Sequence, residues 1–98
     1  MELEGAPDMV LEVVSQSSVQ KDTVVLRDLY WRAGIREYWL VDVRVEKLRF
    51  DILSRGGRGY LTVRKSSGWA KSAVFGSSFR LTQKSDRLGY PEYTLTVR

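Results

Sequence analysis

Two short apolar runs separated by one amphipathic stretch constrain the fold of this chain more than any other feature. The runs cover residues 9–15 and 38–41, and residues 22–33 lie between them. Apolar runs of this length are typical of buried strands, whereas apolar residues at 3.6-residue spacing are typical of a helix. The order therefore predicts a strand, a crossover helix and a second strand that pairs in parallel with the first.

The amphipathic stretch also predicts where the helix begins and ends. Asp22 can cap the first turn with its carboxylate, and Gly34 fits the left-handed position just beyond a helix end. Between them, one face of the predicted helix carries the apolar side chains of Val25, Leu26, Leu29, Tyr30 and Ala33. We expect this face to pack on the sheet.

A carboxylate, Glu12, interrupts the first apolar run. Residues two apart share one face of a strand, so Asp8 and Glu12 are predicted to point the same way. Because an isolated carboxylate is costly to bury in an apolar interior, Glu12 requires a metal ion, a cationic partner or an open cleft. The alternative is that its face is solvated at the edge of a sheet.

The rest of the chain predicts antiparallel strands at residues 48–52, 60–64 and 92–97, and a loop over residues 80–90. Residues 48–52 alternate apolar and charged side chains, so we expect one wet face on that strand. Leu61 and Val63 are expected to face the core. The whole chain, residues 1–98, is predicted to form one domain of the α/β class with a mixed (α+β) sheet.

Composition excludes several kinds of catalytic site. The chain has no His and no Cys, which excludes Ser-His-Asp and Cys-His catalysis and Cys/His zinc sites. A metal site would have to use oxygen ligands, which suit Mg²⁺, Mn²⁺ or Ca²⁺. No apolar run approaches the ~20 residues that span a bilayer, and the acidic N-terminus is unlike a signal peptide. We therefore expect no membrane partner and a cytoplasmic location.

Charge is unevenly distributed along the chain. Residues 1–53 contain 7 Lys/Arg and 10 Asp/Glu, a net −3, whereas residues 54–98 contain 9 Lys/Arg and 2 Asp/Glu, a net +7. A basic half of this kind predicts weak, salt-sensitive contact with DNA phosphates. The alternative is an ordinary solvated surface.

Two segments, PDMVLEVVSQS (residues 7–17) and LYWRAGIREYWLVD (residues 29–42), resemble linked motifs of the Uma-type restriction endonucleases, which belong to the PD-(D/E)XK nuclease superfamily. The match is good over the core motif, residues 7–53, and looser over the basic, β-rich tail, residues 54–98. The resemblance implies a restriction-endonuclease-like core and hydrolysis of DNA phosphodiester bonds with Mg²⁺ or Mn²⁺. It also implies that Glu12 and Asp8 are the catalytic and metal-binding carboxylates.

The chain departs from the family pattern at the expected lysine. Val14 stands where a standard (D/E)XK strand has its Lys, and the family generally places that Lys in the following helix. At the helical position this chain has Leu26, and neither Lys21 nor Arg27 is the matching residue. Family members are also nearly twice as long and carry further acidic residues upstream, so we expect this chain to be N-terminally truncated.

Three functional hypotheses follow. The first is a metal-dependent endonuclease with an incomplete catalytic set, which predicts very poor activity. The second is a non-catalytic remnant that binds nucleic acid or a protein weakly, and the third is a gene fragment without function of its own. An apolar strand without neighbours would leave an unpaired edge that recruits other chains, so a homo-oligomer is also expected.

Overall fold

A computed structural model of the chain describes residues 7–15, 23–44 and 48–98, which form two sheets and one helix. The elements are β1 (Met9–Val14), α1 (Thr23–Arg32), β2 (Glu37–Asp42), β3 (Arg49–Arg55), β4 (Tyr60–Thr62), β5 (Ala70–Ser72), β6 (Ser77–Ser85) and β7 (Pro91–Val97). The first sheet has the strand order β1-β2-β3-β4, and the second has the order β5-β6-β7. The predicted mixture of one helix with parallel and antiparallel strands is confirmed.

The strand–helix–strand unit has the predicted parallel arrangement. β1 pairs in parallel with β2, and β2 pairs antiparallel with β3. In this register Glu12 lies beside Leu40, and Leu40 lies beside Asp51. Because neighbouring residues in register share a face, the three side chains form one row on the side of the sheet that α1 covers.

The helix ends in the way that Gly34 predicts. Gly34 has a φ of 83°, in the left-handed region that glycine adopts without steric cost. Its N–H donates to the carbonyl of Trp31 (3.1 Å), and the N–H of Ile35 donates to the carbonyl of Tyr30 (3.2 Å). These two bonds form a Schellman motif, which satisfies carbonyls in the last turn and directs the chain into β2. The predicted cap, Asp22, lies outside the described residues.

The predicted apolar face of α1 is partly wrong. Val25 and Leu29 are 52% and 54% exposed and Ala33 is also exposed, whereas Leu26 and Tyr30 are half-buried. The helix is rotated so that two other half-buried residues, Arg27 and Trp31, approach the rest of the protein. Trp31 Nε1 donates to the carbonyl of Gly56 (2.8 Å), so a tertiary hydrogen bond overrides the simple apolar pattern.

Apolar residues form two core clusters, one on each face of the first sheet. Beneath α1 the buried residues are Val14, Tyr38, Leu40 and Leu53, and between the sheets they are Trp39, Phe50, Ile52, Ala70 and Phe79. Since β3 lies between these clusters, the wet face predicted for residues 48–52 is wrong at Asp51, whereas Arg49 is exposed as predicted. Asp51 is only 6% exposed and accepts hydrogen bonds from Arg49 Nε (2.7 Å) and Lys65 Nζ (2.9 Å).

The second half of the chain corrects two further predictions. Leu61 is 68% exposed and does not face the core, whereas Val63 does pack on the inter-sheet cluster. The loop predicted over residues 80–90 is in large part strand β6, which pairs with β5 on one side and β7 on the other. β6 contains few apolar residues, and its backbone hydrogen bonds to β5 and β7 hold it extended. The predicted terminal strand is confirmed as β7.

The first sheet presents an edge at β1. Within the described residues β1 pairs with β2 alone, and Leu11 and Val13 are about half exposed, at 53% and 47%. Pairing of this edge with a strand from a second chain stays a prediction.

No helix in the described part of the chain is long and apolar enough to cross a membrane.

The two sheets are joined by the carboxylate of Glu37, which is 2% exposed. One oxygen, Oε1, accepts from Trp39 Nε1 and from Ser72 Oγ, both at 2.6 Å. The other, Oε2, accepts from the backbone N–H groups of Ala73 (3.1 Å) and Val74 (3.2 Å). Three of these four bonds, those from Ser72, Ala73 and Val74, fix β2 to the end of β5 and to the turn that follows it.

We expect Glu37→Gln to destabilise the fold more than its small change in shape suggests. The amide would place an NH₂ group against two donors, which leaves buried N–H or O–H groups unpaired and lowers the free energy of unfolding by about 2–4 kcal/mol. Urea denaturation measures this difference. The control Glu92→Gln changes a carboxylate with 53% side-chain exposure and should cost less than about 0.5 kcal/mol. Equal effects for the two variants would contradict the assigned role of Glu37.

Candidate functional site

Glu12 lies buried on β1, beneath α1. It is 9% exposed, beside Leu40 and next to the cluster of Val14 and Tyr38. The hydroxyl of Tyr30, in the last turn of α1, donates a hydrogen bond to Glu12 Oε1. The sequence predicted a metal ion, a cationic partner or an open cleft at Glu12, whereas the described hydrogen-bond donor is a neutral phenol from the crossover helix. The alternative was that Glu12 lies on a solvated face at the edge of the sheet. This alternative is excluded because the carboxylate is buried.

Two tyrosines respond to the Glu12 carboxylate. The hydrogen bond to Glu12, together with burial and the nearby negative charge, raises the pKa of Tyr30 from 10.0 to about 12. Tyr38 is 0% exposed, so burial raises the pKa of its phenol; the charge of Glu12 adds to the rise and that of Arg27 opposes it. Both phenols therefore stay neutral at pH 7, and Tyr30 uses its O–H group to donate to Glu12.

Arg27, on α1, brings a cation near Tyr38. Its guanidinium carbon lies 6.0 Å from the centre of the Tyr38 ring. Arg27 Nε and the Tyr38 hydroxyl are both buried and have no hydrogen-bond partner in the described part of the chain. Unpaired buried polar atoms are uncommon in folded proteins and are typical of sites that bind a ligand or water. Sequence reasoning identified neither Arg27 nor Tyr38 as a site residue. For Arg27 the available signal was its position, one residue after Leu26.

Asp8 does not join Glu12 in this arrangement. It precedes β1, its side chain is 71% exposed, and its closest described charged partner is Arg36, at 3.7 Å. Four residues of extended strand span about 13 Å, so one ion cannot contact both carboxylates while the strand stays extended. The assignment of Asp8 and Glu12 as catalytic and metal-binding residues stays a prediction.

Other carboxylates on the α1 side of the sheet are engaged elsewhere. Arg44 holds Asp42 with two side-chain hydrogen bonds and one from its backbone N–H, which lowers the pKa of Asp42 to about 2. Burial raises the pKa of Asp51, but hydrogen bonds and charge from Arg49 and Lys65 outweigh it and the net pKa is lowered. No group of three or more carboxylates that could hold a metal occurs among the described residues. These residues alone do not fit a Mg²⁺ or Mn²⁺ centre.

Comparison with known proteins gives one match. Residues 1–93 match the Uma2 family, described as "Putative restriction endonuclease". The match extends well beyond residues 7–53, so the β-rich second half belongs to the same family pattern. No curated protein and no solved structure matches the chain.

The hydrogen bond between Tyr30 and Glu12 predicts a dependence of stability on alkaline pH. The folded pKa of about 12 exceeds the ordinary 10.0, so this stabilisation is complete below pH 10 and is lost as pH rises from 10 towards 12. Tyr30→Phe removes the phenol and should flatten this part of the curve of unfolding free energy against pH. Denaturant titrations across that range measure it, with Tyr93→Phe on exposed strand β7 as the control. Equal slopes for wild type and Tyr30→Phe would contradict the assignment.

Proposed function

Because the chain belongs to the Uma2 family of restriction endonucleases, we propose that it acts on phosphodiester bonds of DNA at the Glu12 site, with very low activity in the chain as it stands. The observation that carries the proposal is the burial of Glu12 beneath α1, near Tyr38, whose hydroxyl, like Arg27 Nε, has no hydrogen-bond partner in the described part of the chain. A carboxylate, a cation and two phenol donors in one partly buried site suit recognition of a phosphate ester and its attacking water.

Each residue has a separate part in this proposal. Tyr30 orients the Glu12 carboxylate through its hydrogen bond, and Arg27 supplies positive charge towards the phosphate. The Tyr38 hydroxyl offers a further donor at the base of the site. Partial burial strengthens these interactions, because charges interact more strongly where water is excluded.

Family membership suggests that Mg²⁺ or Mn²⁺ assists hydrolysis, with Asp8 and Glu12 as ligands. In this chain Glu12 is the buried candidate and Asp8 is exposed and distant, so no step of the proposal passes through a metal. Leu26, half-buried on α1, occupies the position of the family lysine. We attribute the low activity to two features. Leu26 replaces the family lysine, and the described residues contain no group of three or more carboxylates that could hold a metal.

A plasmid-nicking assay in Mg²⁺ and in Mn²⁺ tests the proposal. We expect slow nicking by wild type, a further loss of at least about tenfold in Glu12→Gln, and faster nicking in Leu26→Lys, because a positioned cation stabilises charge on the phosphate. Glu92→Gln, on exposed β7, is the matched control and should behave as wild type. Nicking that is unaffected by Glu12→Gln would exclude this site. Robust wild-type nicking that Glu12→Gln abolishes would support the site and refute the low activity.

A second candidate function, DNA binding without hydrolysis, is favoured by the charge of residues 54–98. Eight of the 9 Lys/Arg in this part are exposed, and Arg80 is half-buried. Arg80 and Arg98 lie against the ring of Trp69, at 4.6 and 4.5 Å from its centre. Basic side chains held in place by aromatic rings are suited to contact phosphates.

We expect duplex DNA to bind weakly and with strong dependence on salt. Release of counterions from the phosphates should lower the affinity steeply between ~50 mM and ~200 mM salt. Fluorescence anisotropy with a labelled duplex at the two concentrations measures this effect. Absence of binding at the lower concentration, or equal affinity at both, would refute DNA binding by this surface.

A further inference from the structure

A pocket of about 300 Å³ lies between α1 and the β3–β4 hairpin. Its polar and aromatic lining consists of Arg27, Asp28, Trp31, Arg58 and Tyr60. We propose that this pocket binds one unpaired nucleotide of a DNA strand, with the phosphate between Arg27 and Arg58 and the base against the aromatic rings. The choice of DNA as ligand rests on the proposed function, whereas the pocket itself is a separate feature of the fold.

The aromatic residues of the pocket are held in fixed positions. Trp31 is tied to Gly56 by its ring N–H, and on one side the guanidinium of Arg55 lies 4.6 Å from the ring centre. Arg55 Nε also donates to the carbonyl of Trp31 (3.0 Å). The hydroxyl of Tyr60 donates to the carbonyl of Ile35 (2.7 Å). Rings that are already ordered lose little conformational entropy when a base stacks on them.

The hairpin that carries Arg58 is built on glycine. The N–H of Gly56 donates to the carbonyl of Gly59 (2.8 Å), and a Cβ at Gly56 would lie 2.9 Å from that same oxygen. Gly59 has a φ of 146°, which favours glycine. The loop is therefore closed tightly on itself, and this closure positions Arg58 beside α1.

The charge of the pocket favours an anion. Arg27 lines the pocket, and its guanidinium carries a positive charge that no described carboxylate pairs with. The acidic residue in the lining, Asp28, is already paired with Arg32 at 2.8 Å. The lining therefore carries a net positive charge from Arg27 and Arg58, because Asp28 is paired with Arg32. Planar guanidinium groups are well suited to bind phosphate oxygens.

The pocket is connected to the Glu12 site by a series of tyrosine rings, and its volume limits the size of the ligand. The ring centres of Tyr60 and Tyr38 are 5.7 Å apart, and those of Tyr38 and Tyr30 are 5.6 Å apart. The hydroxyl of Tyr30 in turn donates a hydrogen bond to Glu12. This series of rings connects the pocket with the Glu12 site. A volume of about 300 Å³ is at the small end of ligand pockets, which suits one unpaired nucleotide better than a base pair.

Binding of fluorescein-labelled single-stranded dT8 to the full chain tests the proposal without reference to cleavage. Arg58→Gln should weaken binding about tenfold and reduce the slope of log affinity against log salt by about one, as expected for a lost phosphate contact. Arg87→Gln removes the same charge from an exposed turn at the end of the β6–β7 hairpin opposite to Arg80 and Arg98, and should change the affinity less than about twofold. Equal losses in the two variants, or no binding by wild type, would overturn the proposal.

Tryptophan fluorescence identifies the surface on which the base stacks. We expect dTMP to quench the fluorescence of wild type and this quenching to disappear in Trp31→Phe, while Trp39 and Trp69 remain as emitters. Quenching that persists unchanged in Trp31→Phe would place the nucleotide elsewhere and overturn the proposal. Loss of nicking in Glu12→Gln together with normal binding by Arg58→Gln would refute this pocket while leaving the proposed function standing.

Discussion

The carboxylate of Glu37 is the interaction on which the arrangement of the two sheets depends. It accepts hydrogen bonds from Trp39, from Ser72 and from two backbone groups in the turn after β5. Because Trp39 also packs edge-on against Phe50 and Phe79, the same contact orients the ring that fills the inter-sheet cluster. β2 is thereby buried on both faces, and β1, which pairs with it, acquires a fixed position beneath α1.

Two buried carboxylates on neighbouring strands have opposite roles in this arrangement. Glu37 faces the second sheet, and its two oxygens accept hydrogen bonds from four donors, as expected of a buried polar group in a folded protein. Glu12 faces α1, and nearby Arg27 Nε and the Tyr38 hydroxyl have no partner in the described part of the chain. This contrast indicates a structural role for Glu37 and supports the proposal that a ligand binds near Glu12.

Much of the first half could be predicted from the sequence because its signals are local. The apolar runs predicted β1 and β2, and the 3.6-residue pattern with Gly34 predicted α1. The isolated acid in β1 predicted a metal ion, a cation or an open cleft at Glu12, whereas the described hydrogen-bond donor is the Tyr30 phenol, which comes from a separate element. The rotation of α1 could not be predicted, because it follows from the bond between Trp31 and Gly56, which are 25 residues apart. The burial of Asp51 likewise depends on Lys65, which is distant in sequence. β6 is extended through its pairing with two other strands, and its own residues carry little signal.

We propose that DNA lies against α1 and the β3–β4 hairpin. Titration of ¹⁵N-labelled protein with single-stranded dT8, followed through the amide chemical shifts, tests this placement. We expect the largest shift changes in residues 27–31 and 56–60, on the two sides of the pocket. Changes confined to β7 and the turn at residues 86–90, with none in α1, would contradict this placement.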